Sequence, residues 1–198
     1  HFGTLTQMKR DMMAEVAATI AFSTIANNDK VGVIFFSDKI EKFIPAQKGK
    51  THVLHIIREL LSFEPSSTGT DIAQALQYFS NAQKRHCTAF LISDFIGVEG
   101  LEKPLMIASN RHEVNAIQIY DRRETELPNV GLVKFHDAET GQDLWVDTAV
   151  ASVREQYASE WKQNQSRIEQ LCTKTGVKRM SVRTDEDYVK ALMKLFKS

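Results

Sequence analysis

Residues 88–94 read TAFLISD, an apolar run that closes on a serine and an aspartate. A strand with one wet face alternates apolar and polar residues, whereas a strand covered on both faces is continuously apolar. Residues 31–36, VGVIFF, have the same character, and 114–120, VNAIQIY, supply a third strand. Between these runs the period changes to that of a helix. Thr51 stands ahead of Val53, Leu54, Ile56, Ile57, Leu60 and Leu61 as a cap, and Asp71 opens a helix with Ile72, Ala75, Leu76 and Phe79 on one face. A further helix is expected around 101–110. Strands alternating with helices of this length predict a mostly parallel sheet with helices on both faces, a Rossmann-like, doubly wound α/β fold.

Outward from this core, Met8, Met12, Met13, Val16, Ile20 and Ile25 predict a long amphipathic first helix. The segment SDKIEKFIP (37–45) reads as a short antiparallel edge strand ending before Pro45. Residues 131–148, GLVKFHDAETGQDLWVDT, form a hairpin pattern about the turn at 138–141, an insertion in the α/β alternation. A helix over 148–175 is closed by Gly176, and Met180 and Val182 predict a last short strand. Thr184 is then expected to cap a final helix with Asp185, Glu186 and Asp187 in its first turn. Right-handed crossovers begin with a strand, yet this sequence begins at the helix that ought to follow strand one. A first strand is therefore expected to be missing, with VGVIFF and TAFLIS left to pair directly, to leave a gap, or to accept a strand from elsewhere.

A length of 198 residues suits one core, and residues 1–198 are expected to form a single domain. Lysine plus arginine number 25, as do aspartate plus glutamate, so no field of one sign would gather nucleic acid or an anionic membrane. No apolar run approaches the roughly 20 residues of a membrane-spanning helix. Cys87 and Cys172 lack a CxxC pattern and are expected to be reduced thiols in a cytoplasmic setting. The first residue is His1, with no signal sequence ahead of it, as in a piece trimmed from a larger protein.

In open parallel sheets ligands sit beyond the carboxyl ends of the strands. The residues placed there are Ser37 and Asp38, Ser93 and Asp94, and Asp121, with Ser67, Thr68, Gly69, Thr70 and Asp71 in a loop ahead of a helix. Such hydroxyl and carboxylate oxygens suit a hard cation such as magnesium. They equally serve as helix caps. Gly49-Lys50-Thr51 lacks the earlier glycine of a phosphate-binding loop, where Ile44 stands instead, and His52 and His55 have no second ligand pair. No GxSxG elbow is present, and His86 precedes its strand rather than following it, so nucleophilic catalysis has no candidate.

The order FGT, a long helix, NDKVGVIFFSDKIEKFIPAQKGKTHVL, GTDIAQAL, FLISDF, YDRRETELPNVGLVKFHDAETGQ and TDEDY resembles the bacterial domain-of-unknown-function 58 family over nearly the whole chain. That family has a von Willebrand factor A-like fold, whose metal-ion-dependent adhesion site takes Asp-x-Ser-x-Ser after strand one, a later threonine and an aspartate after a central strand. The resemblance implies that Thr70 and Asp94 are the last two of these. Asp-x-Ser-x-Ser is absent, and the family places it just ahead of the segment matching FGT. The resemblance thus implies a non-enzymatic protein-interaction module that binds magnesium in the intact protein, with a site incomplete here and a rim of Ser37, Asp38, Ser67, Thr68, Asp71 and Ser93. It also implies a partner, which the family's frequent company suggests is a MoxR-type AAA+ ATPase. Two other readings stand beside it: a magnesium-dependent hydrolase using Asp94 with Asp38, and a structural domain without metal.

Overall fold

The computed structural model describes residues 3–4, 7–67, 69–136 and 143–197. The chain runs β1 (Gly3–Thr4), β2 (Gln7–Met8), α1 (Lys9–Ala26), β3 (Val31–Phe36), β4 (Ile40–Gln47), α2 (Lys50–Ser62), α3 (Ile72–Ala82) and β5 (Thr88–Ser93). It continues through α4 (Glu102–Ser109), β6 (Glu113–Tyr120), α5 (Arg122–Thr125), β7 (Leu132–His136), β8 (Asp143–Asp147), α6 (Ala151–Thr175), β9 (Lys178–Arg183) and α7 (Tyr188–Lys197).

The centre is a parallel sheet in the order β5-β6-β9, with Leu91 opposite Ala116 and Ala116 opposite Arg179. Side chains of a strand point alternately to its two faces. On β6 this puts Val114 and Ala116 among Ile72, Leu76, Leu105, Ala108, Ile168 and Cys172, contributed by α3, α4 and α6. Ile117 and Ile119 go to the other face, against Met12, Val16 and Ile20 of α1 and Leu192 and Leu195 of α7. The predicted helices on both faces are therefore present. No helix among the described residues is long and apolar enough to cross a membrane.

β3 and β4 form a separate antiparallel ladder, packed on α1 and α2 through Ala21, Phe35, Ile44, Val53 and Ile56. A register shift falls between Val31 and Val33. Gly32 sits there because any Cβ would stand 2.7 Å from the Ile44 carbonyl oxygen and 2.8 Å from the Ala46 nitrogen. β4 runs on through Pro45 to Gln47, beyond the expected stop, which an edge strand at a bulge tolerates.

The expected irregularity beside strand one takes the form of a gap. Among the described residues β3 and β5 share no ladder, and a cavity of about 720 Å³ lies between them. The gap is one of the three outcomes expected for VGVIFF and TAFLIS, which have helices on both faces but no strand between them among the described residues. Only Phe35 of β3 is buried, with Val31, Val33, Ile34 and Phe36 half-buried, because a neighbour is lacking along one edge. β6, with a strand on each side, is buried from Val114 to Ile119.

Several ends differ from the sequence reading. α2 begins at Lys50 with Gly49, rather than Thr51, as its N-cap. α6 starts at Ala151, three residues late. α7 starts only at Tyr188, so Asp185, Glu186 and Asp187 precede it, and Thr184 turns inward to donate to Asp121 Oδ2 at 2.9 Å. Asp71 caps α3 as expected, accepting from the Gln74 amide at 2.8 Å, and Gly176 closes α6 at φ 67°. β7 and β8 pair as the predicted hairpin, whose turn at 138–141 lies outside the described residues.

Candidate functional site

The carboxyl edge of the sheet is organised around the turn that follows β5. The Phe95 amide donates to Ser93 Oγ at 3.2 Å, and Gln118 Nε2 on β6 donates to the Asp94 carbonyl at 3.1 Å. Phe95 has φ 55°, a left-handed conformation that bulky residues avoid. It is held there because its ring is fully buried and its carbonyl accepts from Asn164 Nδ2 at 3.3 Å. Burial of one side chain thus fixes the backbone that aims its neighbour, Asp94, at the rim.

Asp94 does not stand alone. Lys9, in the first turn of α1, places Nζ 3.0 Å from Asp94 Oδ2 and 2.9 Å from Glu124 Oε1. Glu124 comes from α5, where Asp121 and Glu124 form a capping box: Asp121 Oδ1 accepts from the Arg123 amide at 2.9 Å and Glu124 Oε1 accepts from the Asp121 amide at 3.1 Å. The remaining oxygen of Glu124, Oε2, is buried without a hydrogen-bond partner. Burial pulls the Lys9 ammonium down, but attraction to Asp94 and Glu124 outweighs it and holds the amine above its ordinary value. Burial pushes the Glu124 carboxyl up, and Lys9 and the Asp121 amide only partly offset it, with the Asp94 charge adding a smaller upward push. One cation is shared by two anions.

A second polar group lies at the end of β3. Ser37, itself buried, has one hydroxyl proton to donate, with Glu41 Oε1 at 2.7 Å and Asp38 Oδ1 at 3.1 Å as its acceptors. The Ser66 amide and hydroxyl also donate to Glu41, and these bonds with Ser37 hold its carboxyl below the usual range. The Asp71 amide donates to the Ser37 carbonyl at 2.8 Å, which seats the 66–71 loop on the end of β3. From there α3 runs back along the sheet and delivers β5, so β3 and β5 point the same way and both groups sit at one edge. Ser67 is half-buried, Thr70 and Asp71 are exposed, and Thr68 lies outside the described residues. The sequence-predicted residues thus gather at the carboxyl edge in two groups, one about Ser37, Asp38 and the 67–71 loop, the other about Ser93 and Asp94. No described hydrogen bond joins Asp38 to Asp94.

A magnesium ion asks for near-octahedral oxygen ligands. Among the described residues no three His, Cys, Asp or Glu side chains come together to hold a metal. Asp94 already faces an ammonium. The described residues by themselves therefore do not fit the ion; they offer one carboxylate and the Thr70 hydroxyl toward a larger set.

Sequence reasoning missed Lys9 and Glu124, and each had a signal. A lysine in the first turn of a helix opposes the helix dipole and calls for an anionic partner. Asp121-x-x-Glu124 is a capping-box spacing. It also missed a pair at the opposite edge of the sheet, where Cys87 Sγ lies 3.6 Å from Nδ1 of buried His112. Burial pushes the thiol up and the imidazole down, so both are neutral at pH 7 and no thiolate is poised there.

The fold and its rim define a doubly wound α/β domain with polar groups at the carboxyl edge of the strands. The chain belongs to the family described as "Protein of unknown function DUF58", which matches residues 1–167. Uncharacterized proteins of Mycobacterium tuberculosis and Mycobacterium bovis are each 29% identical over 201 residues, covering the whole of this chain. The chain spans 62% of the length of these relatives. An uncharacterized protein of Mycobacterium avium is 29% identical over 159 residues, covering 78% of this chain and 92% of its own length. Among solved structures, a conserved hypothetical protein, BatB, from Bacteroides thetaiotaomicron superposes with a TM-score of 0.51 at 18% identity, covering 93% of this chain and 89% of that one. The likeness to BatB concerns the fold.

Proposed function

We propose that this chain is a non-enzymatic protein-interaction module that engages its partner at the carboxyl edge of the sheet, around Asp94. One observation carries the reading: the buried, left-handed Phe95 fixes the turn that holds the Asp94 carboxylate at the carboxyl edge of the sheet. In the intact protein Asp94 and Thr70 would supply two of the oxygen ligands of a magnesium ion, the rest coming from outside the described residues, and the ion would supply positive charge for an acidic group of the partner. The resemblance to von Willebrand factor A-like domains supports this reading, and it makes a MoxR-type AAA+ ATPase the partner to try first.

The test is capture of that ATPase by the full-length protein, with and without chelator, for wild type, Thr70→Ala and Asp94→Ala. Capture should need magnesium, fail in Asp94→Ala with the fold intact, and weaken less in Thr70→Ala, which removes only a neutral oxygen. Capture indifferent to both chelator and Asp94→Ala would remove the metal-mediated mechanism. Magnesium-dependent turnover of phosphatase or nuclease substrates, lost in Asp94→Ala, would replace the module with the hydrolase.

A further inference from the structure

β9 is the outer strand of the parallel sheet, and among the described residues its only ladder is the one with β6. The Thr184 amide donates to the Tyr120 carbonyl at 3.0 Å, and backbone groups along a strand point alternately to its two edges, so the amides and carbonyls of Arg179 and Ser181 face away from β6. No described hydrogen bond meets them. A bare edge of this kind is a template for another strand unless the sequence spoils it. The other outer strand, β4, is spoiled by Pro45 and by two register shifts against β3, whereas β9 keeps unbroken register over six residues and has no proline. Beside this edge, on the α7 side, runs a groove of about 620 Å³. Met180 and Val182 pack with Leu192 and Leu195 on that face, so Lys178, two residues before Met180, projects to the same face. Lys178, Lys190 and Lys194 line the groove, and Asp187 is the one acid among its described lining residues. These charges are loosely held: Lys190 Nζ lies 3.9 Å from Asp187 on a side chain 83% exposed, Lys178 Nζ lies 3.4 Å from Glu113, and Lys194 has no ion pair among the described residues.

We propose that the β9 edge and its lysine groove form a docking site for an extended acidic segment of a partner protein, which joins the sheet as a further strand beside β9. Backbone pairing with Arg179 and Ser181 supplies affinity, and the lysines select the sequence. Lys190 and Lys194 stand four residues apart, about 6 Å along α7, while alternate residues of a strand are about 6.6 Å apart, so carboxylates at every second position of the segment meet both ammoniums. The same lysines disfavour a second copy of this chain as the occupant, because two such edges brought together would set like charges against each other. No residue of the groove belongs to the rim around Asp94, so the site is independent of the rim and of any metal there.

The probe is a fluorescein-labelled peptide of alternating valine and aspartate, titrated into the full-length protein and read by anisotropy. Its controls are a valine–lysine peptide and the valine–aspartate peptide N-methylated throughout, which keeps the charge but cannot donate to a strand. The valine–aspartate peptide should bind, both controls at least tenfold more weakly, and Lys190→Glu combined with Lys194→Glu should weaken it at least tenfold while the far-ultraviolet circular dichroism stays native. On binding, the amides of 179 and 181 should exchange with solvent at least tenfold more slowly. Ser181→Pro deletes an outward amide without touching a bond to β6 and should weaken binding, whereas Ser181→Ala keeps the amide and should not. No binding of the valine–aspartate peptide overturns the proposal. Equal binding of the N-methylated peptide, or binding that leaves exchange at 179 and 181 unchanged, reduces the groove to a patch for any anion and overturns it. Slow exchange at these amides before peptide is added shows that the full-length chain covers the edge itself, and overturns it too.

Discussion

Lys9 does for Asp94 and Glu124 what a bound cation would do. Its ammonium is flanked by two carboxylates, with the three side chains 18%, 27% and 11% exposed. Removing one partner of a fully buried ion pair costs roughly 3–5 kcal/mol. Because this group keeps some contact with water, Lys9→Met should lower stability by less than that in urea denaturation. It should also make stability respond to magnesium, since two carboxylates would then face each other with no cation between them. A melting temperature of Lys9→Met that is unmoved by millimolar magnesium would count against Asp94 as a metal-ready residue. Glu124 yields a pH prediction with a definite sign. Its carboxyl titrates higher in the folded chain than the ordinary 4.5, so the native state holds the extra proton between those two values. Its contribution therefore declines as pH rises through that window, and Glu124→Gln should flatten this limb of the urea midpoint against pH. The two thiols are both pushed up by burial, and should react slowly with a disulfide reagent at pH 7.

At the scale of elements, the turn after β5 couples core to rim. Phe95 is both a buried ring and a left-handed residue, so Phe95→Ala should destabilise by about 3–5 kcal/mol, the cost of deleting a core phenylalanine. Phe95→Gly removes the same ring but relieves the backbone, and should cost less; equal midpoints for the two variants would show that the φ of 55° carries no strain. The strands and most helices were legible in sequence because periodicity reports which face is covered, as at TAFLIS, VNAIQIY and the helix opened by Asp71. Helix starts were less legible where side chains had distant work. Thr184 has the chemistry of an N-cap, yet it bonds to Asp121, 63 residues away, and α7 waits until Tyr188. Apolar runs, likewise, report what a strand is suited to adjoin, and β3 is suited to a neighbour that the described residues do not supply. Asp94 was legible as a strand end and the 67–71 loop as the polar stretch ahead of a helix, whereas Lys9 and Glu124 required knowing which elements meet at the rim.

Across the whole molecule two surfaces compete for the role of partner site. One is the carboxyl edge, with Ser37, Asp38, the 66–71 loop and Asp94. The other is the β7–β8 hairpin, where Leu132, Leu144 and Trp145 are all more than half exposed. Aromatic and aliphatic exposure of this kind is itself a mark of contact surfaces. The rim is favoured because it is built: its carboxylate is aimed by a buried turn, and its loops are tied to strand ends by named hydrogen bonds. Amide hydrogen exchange on the full-length protein, with and without its captured partner, distinguishes the two most directly. The account predicts that protection on binding falls at 37–41, 66–71 and 94–98. Protection confined to 130–136 and 143–150, with the rim unchanged, would contradict it.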